Sequence, residues 1–335
     1  MLATLSQPRP HGWEVVFLAP VRGRLAESAA AAGVEVVDWD VREDGRKPPP
    51  EWAVVSLRAA VESVGADLVH ANSLSLARLT GRLAREDDRP ATAHLRDIMR
   101  LSKAAVADVN GNHTLLAVSP AVEATHREQG VERIRCVPNG IEPFRRTRPP
   151  GWLRSELGVA RRTKLIATVG QIGLRKGLDL AAAALRQLDP TIDFRWLVVG
   201  ERLSQKEESV AFDAALDDAI GSRMLRLGYR TDVLELLAEV DLLLHPARQE
   251  PLGRVLLEAA EARCPVVGLD VGGNRFALPD SPLVPLTDAA TTAAGLKAAV
   301  ESSLADPVVE TPASGRFALV KAAASTWTTW QAAIA

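Results

Sequence analysis

Cysteine is scarce in this 335-residue chain, which contains only Cys136 and Cys264. Both adjoin apolar stretches, so we predict two buried thiols, which favour a reducing compartment. No apolar run reaches the length that spans a membrane, and the N-terminus lacks a signal-peptide pattern. These absences predict a cytoplasmic protein without a transmembrane segment, and they leave peripheral membrane contact open.

The chain also lacks an excess of charge of either sign, because 40 basic and 42 acidic side chains give a formal net charge of −2. A nearly balanced chain has no global electrostatic reason to bind nucleic acid, so we predict no such partner. A hydrophobic content of 47% and a charged content of 24% are ordinary for a globular protein. The length is sufficient for two domains with separate cores.

Motifs that mark several common enzyme classes are absent. The chain has no Walker-type phosphate loop and no GxSxG nucleophile elbow. Gly272-Gly273 falls short of a dinucleotide fingerprint, and the histidines show no metal-ligand spacing with cysteines or acidic residues. NTPase, hydrolase and dehydrogenase functions therefore lose their main support, and we expect no metal site.

Apolar runs alternate with helical stretches, which is typical of parallel α/β sheets covered on both faces. The predicted strands are Trp13–Ala19, Val34–Trp39, Leu68–His70, Ala91–His94, Leu115–Val118, Ile134–Val137, Leu165–Val169, Trp196–Val199, Met224–Leu227, Leu242–His245, Val266–Leu269 and Leu283–Val284. The predicted helices are Leu25–Ala32, Ala53–Val64, Leu74–Arg85, Leu178–Leu188, Glu207–Ala219, Asp232–Leu237, Arg254–Ala262 and Phe317–Ile334. Lys47–Pro50 is predicted to be a proline-rich loop.

Residues Glu250 to Gly273 form the most informative segment. They contain a Pro-Leu-Gly turn, an apolar helix, a short buried strand and a Gly-Gly loop. A glycine at the mouth of such a helix is suited to an anion, because free backbone N–H groups and the helix dipole point at the loop. Glu250 and Glu258 can accept hydrogen bonds from sugar or ribose hydroxyls on either side of a phosphate. The segment therefore predicts a sugar-nucleotide site.

This segment resembles the Glu-x7-Glu motif of family-4 retaining glycosyltransferases, which have the GT-B fold. Val169–Leu180 is similar to the strand-loop-helix that carries that family's phosphate-binding lysine. Arg135–Phe144 resembles the family's Asn-Gly stretch near the domain junction, and Ala93–Ile98 resembles its histidine-bearing loop. The four motifs occur in the family's order and cover nearly the whole chain.

The resemblance implies an α/β protein with two Rossmann-like domains whose parallel sheets face each other across a cleft. We expect an acceptor-side domain over residues 1–145 and a nucleotide-sugar-binding domain over 146–316, with a junction near Phe144–Pro150. The C-terminal helix, 317–335, would return to the first domain; its tryptophans could equally fill a local core.

The resemblance assigns Glu250 to the donor sugar as a catalytic residue and Glu258 to the ribose hydroxyls. From the residues alone, the first could be a solvated loop carboxylate and the second a helix-surface glutamate. Lys176 opens a helix, where a cation opposes the helix dipole unless an anion lies between them, so a phosphate ligand is favoured. Arg175 and the backbone N–H of Gly173 would share this role, although Arg175 could also be a solvated arginine.

The remaining donor-side residues come from two loops. Leu252 and Gly253 belong to the Pro-Leu-Gly turn, and Tyr229 and Arg230 follow a strand where relatives seat the base. Many relatives carry arginine where this chain has Gln171, so one customary positive charge on the diphosphate is missing. Donor affinity is then lower, or Arg175 compensates.

On the acceptor side, the family places a functional histidine at His94, facing the donor, although a strand-end histidine is often structural. Arg96 could pair with Asp97 or with an acceptor anion, and Asn72 and Ser73 follow a strand at another carboxyl end. We predict that Asn139 and Gly140 make a turn, because both tolerate left-handed backbone angles.

We therefore expect a glycosyltransferase of the hexosyltransferase type that uses a nucleotide-diphosphate sugar. No nucleophile is evident, so a front-face mechanism is favoured, with Glu250 and His94 orienting the sugar. Neither a cofactor nor a metal is implied, because positive groups replace the metal. The acceptor could be a glycan, a lipid-linked molecule or a small molecule. Two alternatives stay open: a non-catalytic nucleotide-sugar-binding or scaffold protein, and a sugar-nucleotide epimerase.

The start of the chain departs from the family's pattern, since it resembles the end of the first helix followed by the second strand. The family's first strand and glycine-rich loop are absent. In a doubly wound sheet that strand is central, so its loss would leave Trp13–Ala19 and Leu68–His70 with unpaired backbone groups. We expect an in-frame upstream segment of a few tens of residues (about half a βαβ unit), without which activity would be impaired. A naturally short sheet would instead pair these two strands directly.

Overall fold

The structure is a computed structural model that describes residues 2–42, 48–202 and 204–334. Lys47, the first residue of the predicted proline-rich loop, lies outside these ranges, and Pro50 begins a helix instead of ending the loop. The chain forms two compact units, Met1–Gly140 with Phe317–Ala335, and Ile141–Arg316.

The strands of the described residues are β1 (Val16–Ala19), β2 (Glu35–Asp38), β3 (Val69–Ala71), β4 (Ala91–Leu95), β5 (Thr114–Ala117), β6 (Ile134–Cys136), β7 (Lys164–Val169), β8 (Phe194–Val199), β9 (Met224–Gly228), β10 (Leu242–His245), β11 (Val266–Leu269) and β12 (Leu283–Val284). The helices are α1 (Leu2–Leu5), α2 (Arg24–Ala31), α3 (Pro50–Ser63), α4 (Leu74–Asp87), α5 (Lys103–Val109), α6 (Pro120–Arg127), α7 (Trp152–Leu157), α8 (Leu178–Leu185), α9 (Glu207–Ile220), α10 (Val233–Leu237), α11 (Arg254–Glu261), α12 (Asn274–Ala277), α13 (Ala289–Ala305), α14 (Ala313–Arg316) and α15 (Leu319–Ile334). Short 3₁₀ turns lie at Leu174–Lys176 and Gly221–Arg223.

The second unit contains a six-stranded parallel sheet in the order β12-β11-β10-β7-β8-β9. Its strands are rich in apolar residues, and Phe194, Trp196 and Ile166 are buried between the sheet and its covering helices. From β7 to β9, each new strand is added towards one edge of the sheet, and from β10 to β12 each is added towards the opposite edge. In a doubly wound sheet, ligands bind beyond the carboxyl ends of the strands at the point where the order reverses. That point is between β7 and β10.

The first unit contains a four-stranded parallel sheet, β3-β4-β5-β6, and a separate parallel pair, β1-β2. Together with the second unit, these sheets confirm the predicted parallel α/β class. Among the described residues, β1 and β3 do not pair with each other. Trp13, Trp327 and Trp330 pack together with Leu68, and the Trp330 indole donates to His70 Nδ1 at 3.0 Å. These contacts attach α15 to the first unit.

Residues just after Gly140 pack on the second unit, so the structural boundary precedes the predicted junction. The buried carboxylate of Glu261 in α11 accepts hydrogen bonds from Phe144 N at 2.9 Å and from Ser314 N at 2.7 Å. Thr147 donates from both its backbone N and its hydroxyl to Glu235 in α10. Buried carboxylates thus bind the chain both where it enters the second unit and where it leaves it.

Candidate active site

Two loops meet at the point where the strand order reverses, one after β7 and one after β10. Gly177, with φ +69°, directly precedes α8, and a Cβ there would lie 1.9 Å from the Pro246 carbonyl oxygen. On the other side of β7, a Cβ at Gly200 would lie 2.0 Å from the Gly170 carbonyl oxygen. Only glycine permits backbones to approach this closely. The two glycines therefore draw the loops after β7, β8 and β10 into one cluster.

Lys176 and Glu250 are brought into direct contact by these loops. Lys176 Nζ lies 2.5 Å from Glu250 Oε2, although the residues are 74 positions apart in the chain. His245, the last residue of β10, places Nε2 at 3.3 Å from the same oxygen, but outside hydrogen-bond geometry. The structure therefore joins the lysine and the first glutamate of the two sequence motifs in one buried charged cluster.

The environment of Glu250 keeps it ionised. Burial alone would raise the pKa of this carboxyl, but His245 and Lys176 beside it outweigh burial and lower the pKa to about 2. A carboxylate at this position can accept hydrogen bonds and cannot donate a proton at neutral pH.

The depressed pKa predicts a pH effect on stability. The usual pKa of Glu250 is 4.5 and its folded value is about 2, so its contribution is present above about pH 4.5 and is lost as the pH falls towards 2. This contribution is on the order of 3 kcal/mol. In urea unfolding from pH 5 to 2.5, Glu250→Gln should lose less stability than the wild type. Glu62→Gln, at an exposed position of α3, is the control, and equal losses in Glu250→Gln and the wild type would contradict the expectation.

Glu258 lies about one turn into α11, with a side chain 16% exposed. Burial raises its pKa, and the Arg254 guanidinium, whose Nε donates to Glu258 Oε1 at 2.9 Å, lowers it in part. The Arg254 side chain itself is largely exposed. Glu258 is thus half-buried and able to accept further hydrogen bonds, as a ribose ligand would require.

Backbone N–H groups near the lysine are available for an anion. Among the described residues, the N–H groups of Gly173 and Gly253 donate to no protein acceptor. Gly253 also precedes α11, and a Cβ there would crowd Leu256 and Glu250. Arg175 is exposed, and a surface pocket beside it is lined by Gln171, Gly173 and Lys176.

The other predicted donor-side residues lie in different surroundings. Leu252 is buried in the turn after Glu250. Tyr229 is 54% exposed after β9. Arg230 forms a bidentate ion pair with Asp232, with both distances 2.8 Å. Its Nη1 also donates to Glu156 Oε1 at 2.8 Å. The Arg230 guanidinium is therefore held by the carboxylates of Asp232 and Glu156. Its predicted contact with the base stays a prediction.

In the first unit, two of the predicted acceptor-side residues, Asn72 and Arg96, form one network with His94 and Asn139. Arg96 donates to Asn72 Oδ1 at 2.9 Å, to Asn139 Oδ1 at 2.6 Å and to His94 Nδ1 at 3.3 Å. The His94 Nε2–H then donates to the Val137 carbonyl oxygen at 2.9 Å. Burial, followed by the nearby Arg96 charge, lowers the pKa of His94 well below its usual range. His94 is a neutral histidine with both ring nitrogens engaged.

For this unit, the acceptor-side role of Ser73 stays a prediction, and the expected turn at residues 139–140 is wrong. Ser73 Oγ accepts from Leu76 N and caps α4, so its hydroxyl already has a structural partner. The structure has no turn at Asn139-Gly140, and neither residue has a positive φ. A Cβ at Gly140 would lie 2.4 Å from the Leu319 Cα, so this glycine permits close packing of α15.

Sequence reasoning missed two residues of the site, His245 and Arg248. His245 ends an apolar strand, where its position at a carboxyl end was the available signal. Arg248 stands in a polar loop and resembles a solvated arginine, yet it forms a bidentate ion pair with Asp179 of α8. No local sequence pattern pairs Arg248 with Asp179, because the two residues are 69 positions apart.

Over the ranges that the structure describes, no group of three or more His, Cys, Asp or Glu side chains is placed to hold a metal ion. In the same ranges, no helix combines the length and the apolar character needed to cross a membrane.

Two family models match the chain in succession. Residues 5–145 match Glycosyltransferase Family 4, and residues 153–307 match Glycosyl transferases group 1. The two matches include β1 to β6 and β7 to β12 respectively, in the order that the sequence motifs predict. The chain belongs to the group 1, family 4 glycosyltransferases, which have the GT-B fold.

Similar proteins and structures agree with this placement. The chain is 34% identical to the lipopolysaccharide glucosyltransferase WaaG of Escherichia coli strain K12 over 163 residues, which is 47% of this chain and 42% of that protein. It is 30% identical over 233 residues to a D-inositol 3-phosphate glycosyltransferase of Pseudarthrobacter chlorophenolicus, covering 65% of this chain and 54% of that protein. The chain thus spans about half the length of these relatives. The crystal structure of Anabaena HepE with UDP has a TM-score of 0.77 at 22% identity, covering 99% of this chain and 95% of that one.

Proposed function

We propose that this chain is a retaining glycosyltransferase that moves a sugar from a nucleotide-diphosphate sugar to an acceptor hydroxyl. The observation that carries the proposal is the contact of Lys176 with the ionised Glu250 where the strand order reverses. A cation there suits a diphosphate, and a buried carboxylate beside it suits the hydroxyls of the attached sugar. The glucosyltransferase name of the E. coli relative and the UDP-glucose complex of HepE favour a UDP-linked hexose.

The proposed reaction breaks the bond between the anomeric carbon and the diphosphate oxygen. The acceptor hydroxyl forms the new bond on the same face, and its proton passes to the leaving phosphate oxygen. Charge that develops on the diphosphate is stabilised by Lys176, Arg175 and the N–H groups of Gly173 and Gly253, which act where the charge appears. Glu250 holds the sugar hydroxyls during this step, and Glu258 holds the ribose.

We place the acceptor on the side of the first unit, near Arg96. Asn72, Asn139 and His94 hold this guanidinium through neutral acceptors. A direct contact of His94 with the sugar would require Nε2 to leave Val137, so we assign it the role of orienting Arg96. The acceptor is a glycan, a lipid-linked molecule or a small molecule with a free hydroxyl. The free thiols of Cys136 and Cys264 support a reducing, cytoplasmic compartment.

The test is to incubate the protein with UDP-glucose and hydroxyl acceptors of these three classes. Release of UDP would be measured together with the anomeric configuration of the product. We expect UDP release that depends on Lys176 and a product with the donor's α configuration. Tight binding of UDP-glucose without UDP release or sugar transfer would contradict the proposed transferase activity. It would support the alternative of a non-catalytic nucleotide-sugar-binding protein. A β-configured product would contradict retention.

A further inference from the structure

Arg248 connects the two loops of the candidate active site. It follows β10 and lies two residues before Glu250. Its Nη1 donates to Asp179 Oδ1 at 2.7 Å and its Nη2 donates to Asp179 Oδ2 at 2.6 Å. Asp179 belongs to the first turn of α8, which begins directly after the loop that carries Lys176. This fork–fork geometry fixes the direction of the guanidinium as well as its position.

The same arginine also binds the backbone of the turn that holds the lysine. Nη1 donates to the Leu174 carbonyl oxygen at 2.8 Å, and the Arg248 backbone N–H donates to the Arg175 carbonyl oxygen at 3.0 Å. These carbonyls belong to the 3₁₀ turn Leu174–Lys176. Four hydrogen bonds thus join one residue of the β10 loop to the turn and the helix on either side of Lys176.

This arrangement determines where the lysine can reach. The Lys176 side chain has several rotatable bonds, so the position of its Nζ depends on where the turn holds its backbone. The turn is fixed to the β10 loop through Arg248, and Glu250 stands on that same loop. The 2.5 Å contact between Lys176 and Glu250 is therefore made between two loops that Arg248 joins.

We propose that Arg248 is a positioning residue that holds Lys176 in place for the donor diphosphate. The inference rests on the proposed function, because it assigns Lys176 to that ligand. Arg248 acts through the turn and does not itself touch the donor. A lysine could not replace it, since a single ammonium lacks the planar fork that engages both oxygens of Asp179 and the Leu174 carbonyl together.

A purely structural role would have a different signature. The Arg248 side chain is 28% exposed and that of Asp179 is 36% exposed, and ion pairs of this kind contribute little to stability. A structural role would predict a small shift in Tm and equal effects on all ligands. The positioning role predicts a loss specific to the phosphates that depends on the presence of Lys176.

The test is a double-mutant cycle of Arg248→Ala and Lys176→Ala, with UDP and uridine binding measured by calorimetry. We expect Arg248→Ala to weaken UDP binding about tenfold and uridine binding less than twofold. In the Lys176→Ala background, Arg248→Ala should weaken UDP binding less than twofold further. Arg248→Lys keeps the charge and should stay close to Arg248→Ala, and Asp179→Asn should show the same phosphate-specific loss.

The matched control is Arg154→Ala. Arg154 pairs with Asp241 at 2.7 Å beside the amino ends of the same strands, β7 and β10. The Arg154→Ala variant should be less stable than the wild type, and its ratio of UDP affinity to uridine affinity should be unchanged.

Three results would overturn the inference. They are unchanged UDP binding in Arg248→Ala, full recovery by Arg248→Lys, and an undiminished effect of Arg248→Ala after Lys176 is removed. If the wild type bound no UDP, the proposed function would fail and this inference with it. UDP binding by the wild type together with any of the three results would overturn this inference alone.

Discussion

Lys176→Ala should weaken binding of UDP-glucose by roughly ten- to a hundredfold and leave uridine binding nearly unchanged. Lys176 Nζ is the cation nearest the ionised Glu250 where the strand order reverses, and a charge-assisted contact of this type contributes about 1.5–3 kcal/mol. The substitution also leaves Glu250 buried without its lysine, so some loss of stability should accompany the loss of affinity. Calorimetry with UDP-glucose, UDP and uridine measures the two ligand effects separately.

The neighbouring Arg175 provides the matched control for this experiment. Its side chain is exposed, whereas that of Lys176 is 16% exposed. Arg175→Ala should therefore reduce diphosphate affinity less than Lys176→Ala does, because a solvated cation gains less from the same anion. Equal losses of UDP and uridine binding in Lys176→Ala would show that the lysine does not act on the phosphates.

Glu250→Ala should reduce turnover by about a hundredfold or more while UDP affinity changes only a few-fold. Its pKa of about 2 makes it a permanent acceptor at neutral pH, suited to sugar hydroxyls and not to the nucleotide. A sugar that loses this contact can shift from the reactive geometry, and a small misplacement is enough to cost about a hundredfold in rate. Steady-state kinetics with UDP-glucose, together with calorimetry with UDP, separate turnover from nucleotide affinity.

Glu258→Ala is the matched comparison for this prediction, because it removes the second glutamate of the same motif. Here nucleotide affinity should fall more than turnover, since Glu258 is assigned to the ribose. Glu250→Gln should lie between Glu250→Ala and the wild type, because the amide keeps one acceptor oxygen and loses the charge. Donor binding and turnover that stay at wild-type values in both alanine variants would remove the basis of the site assignment.

Much of the second unit could be predicted from the sequence because its inner strands β10 and β11 are buried on both faces. Strands such as Leu242–His245 and Val266–Leu269 are short apolar runs between polar loops, and both have the predicted bounds. The helix Ala289–Ala305 was missed, although Asp288 caps it. Its alanines and threonines give a weak amphipathic pattern, and a single capping residue is also common in turns.

The site was predictable in composition but not in its contacts. Glu250 and Lys176 each lie in a recognisable motif, yet their direct contact depends on β10 being a neighbour of β7. Strand order is a property of the whole chain and leaves no local signal. The same reason explains Arg248, whose partner Asp179 is in a distant helix.

Glu261 is a polar helix residue whose burial has no signal in the local sequence. It is buried because the chain enters the second unit near Phe144 and leaves it near Ser314, and both residues donate to Glu261. A sequence pattern cannot indicate where two chain crossings will meet. Gly140 was predicted to be a turn residue. In the structure, it has no positive φ, and its lack of a side chain instead permits close packing of α15.

The most direct test of the account is a crystal structure of the protein with UDP-glucose. We predict that the diphosphate contacts Lys176 Nζ and the N–H groups of Gly173 and Gly253, with the sugar hydroxyls on Glu250 and the ribose on Glu258. The loops joined by Arg248 should keep their present contacts. UDP-glucose bound elsewhere, with Lys176 and Glu250 still paired only to each other at 2.5 Å, would contradict the assignment of the donor site.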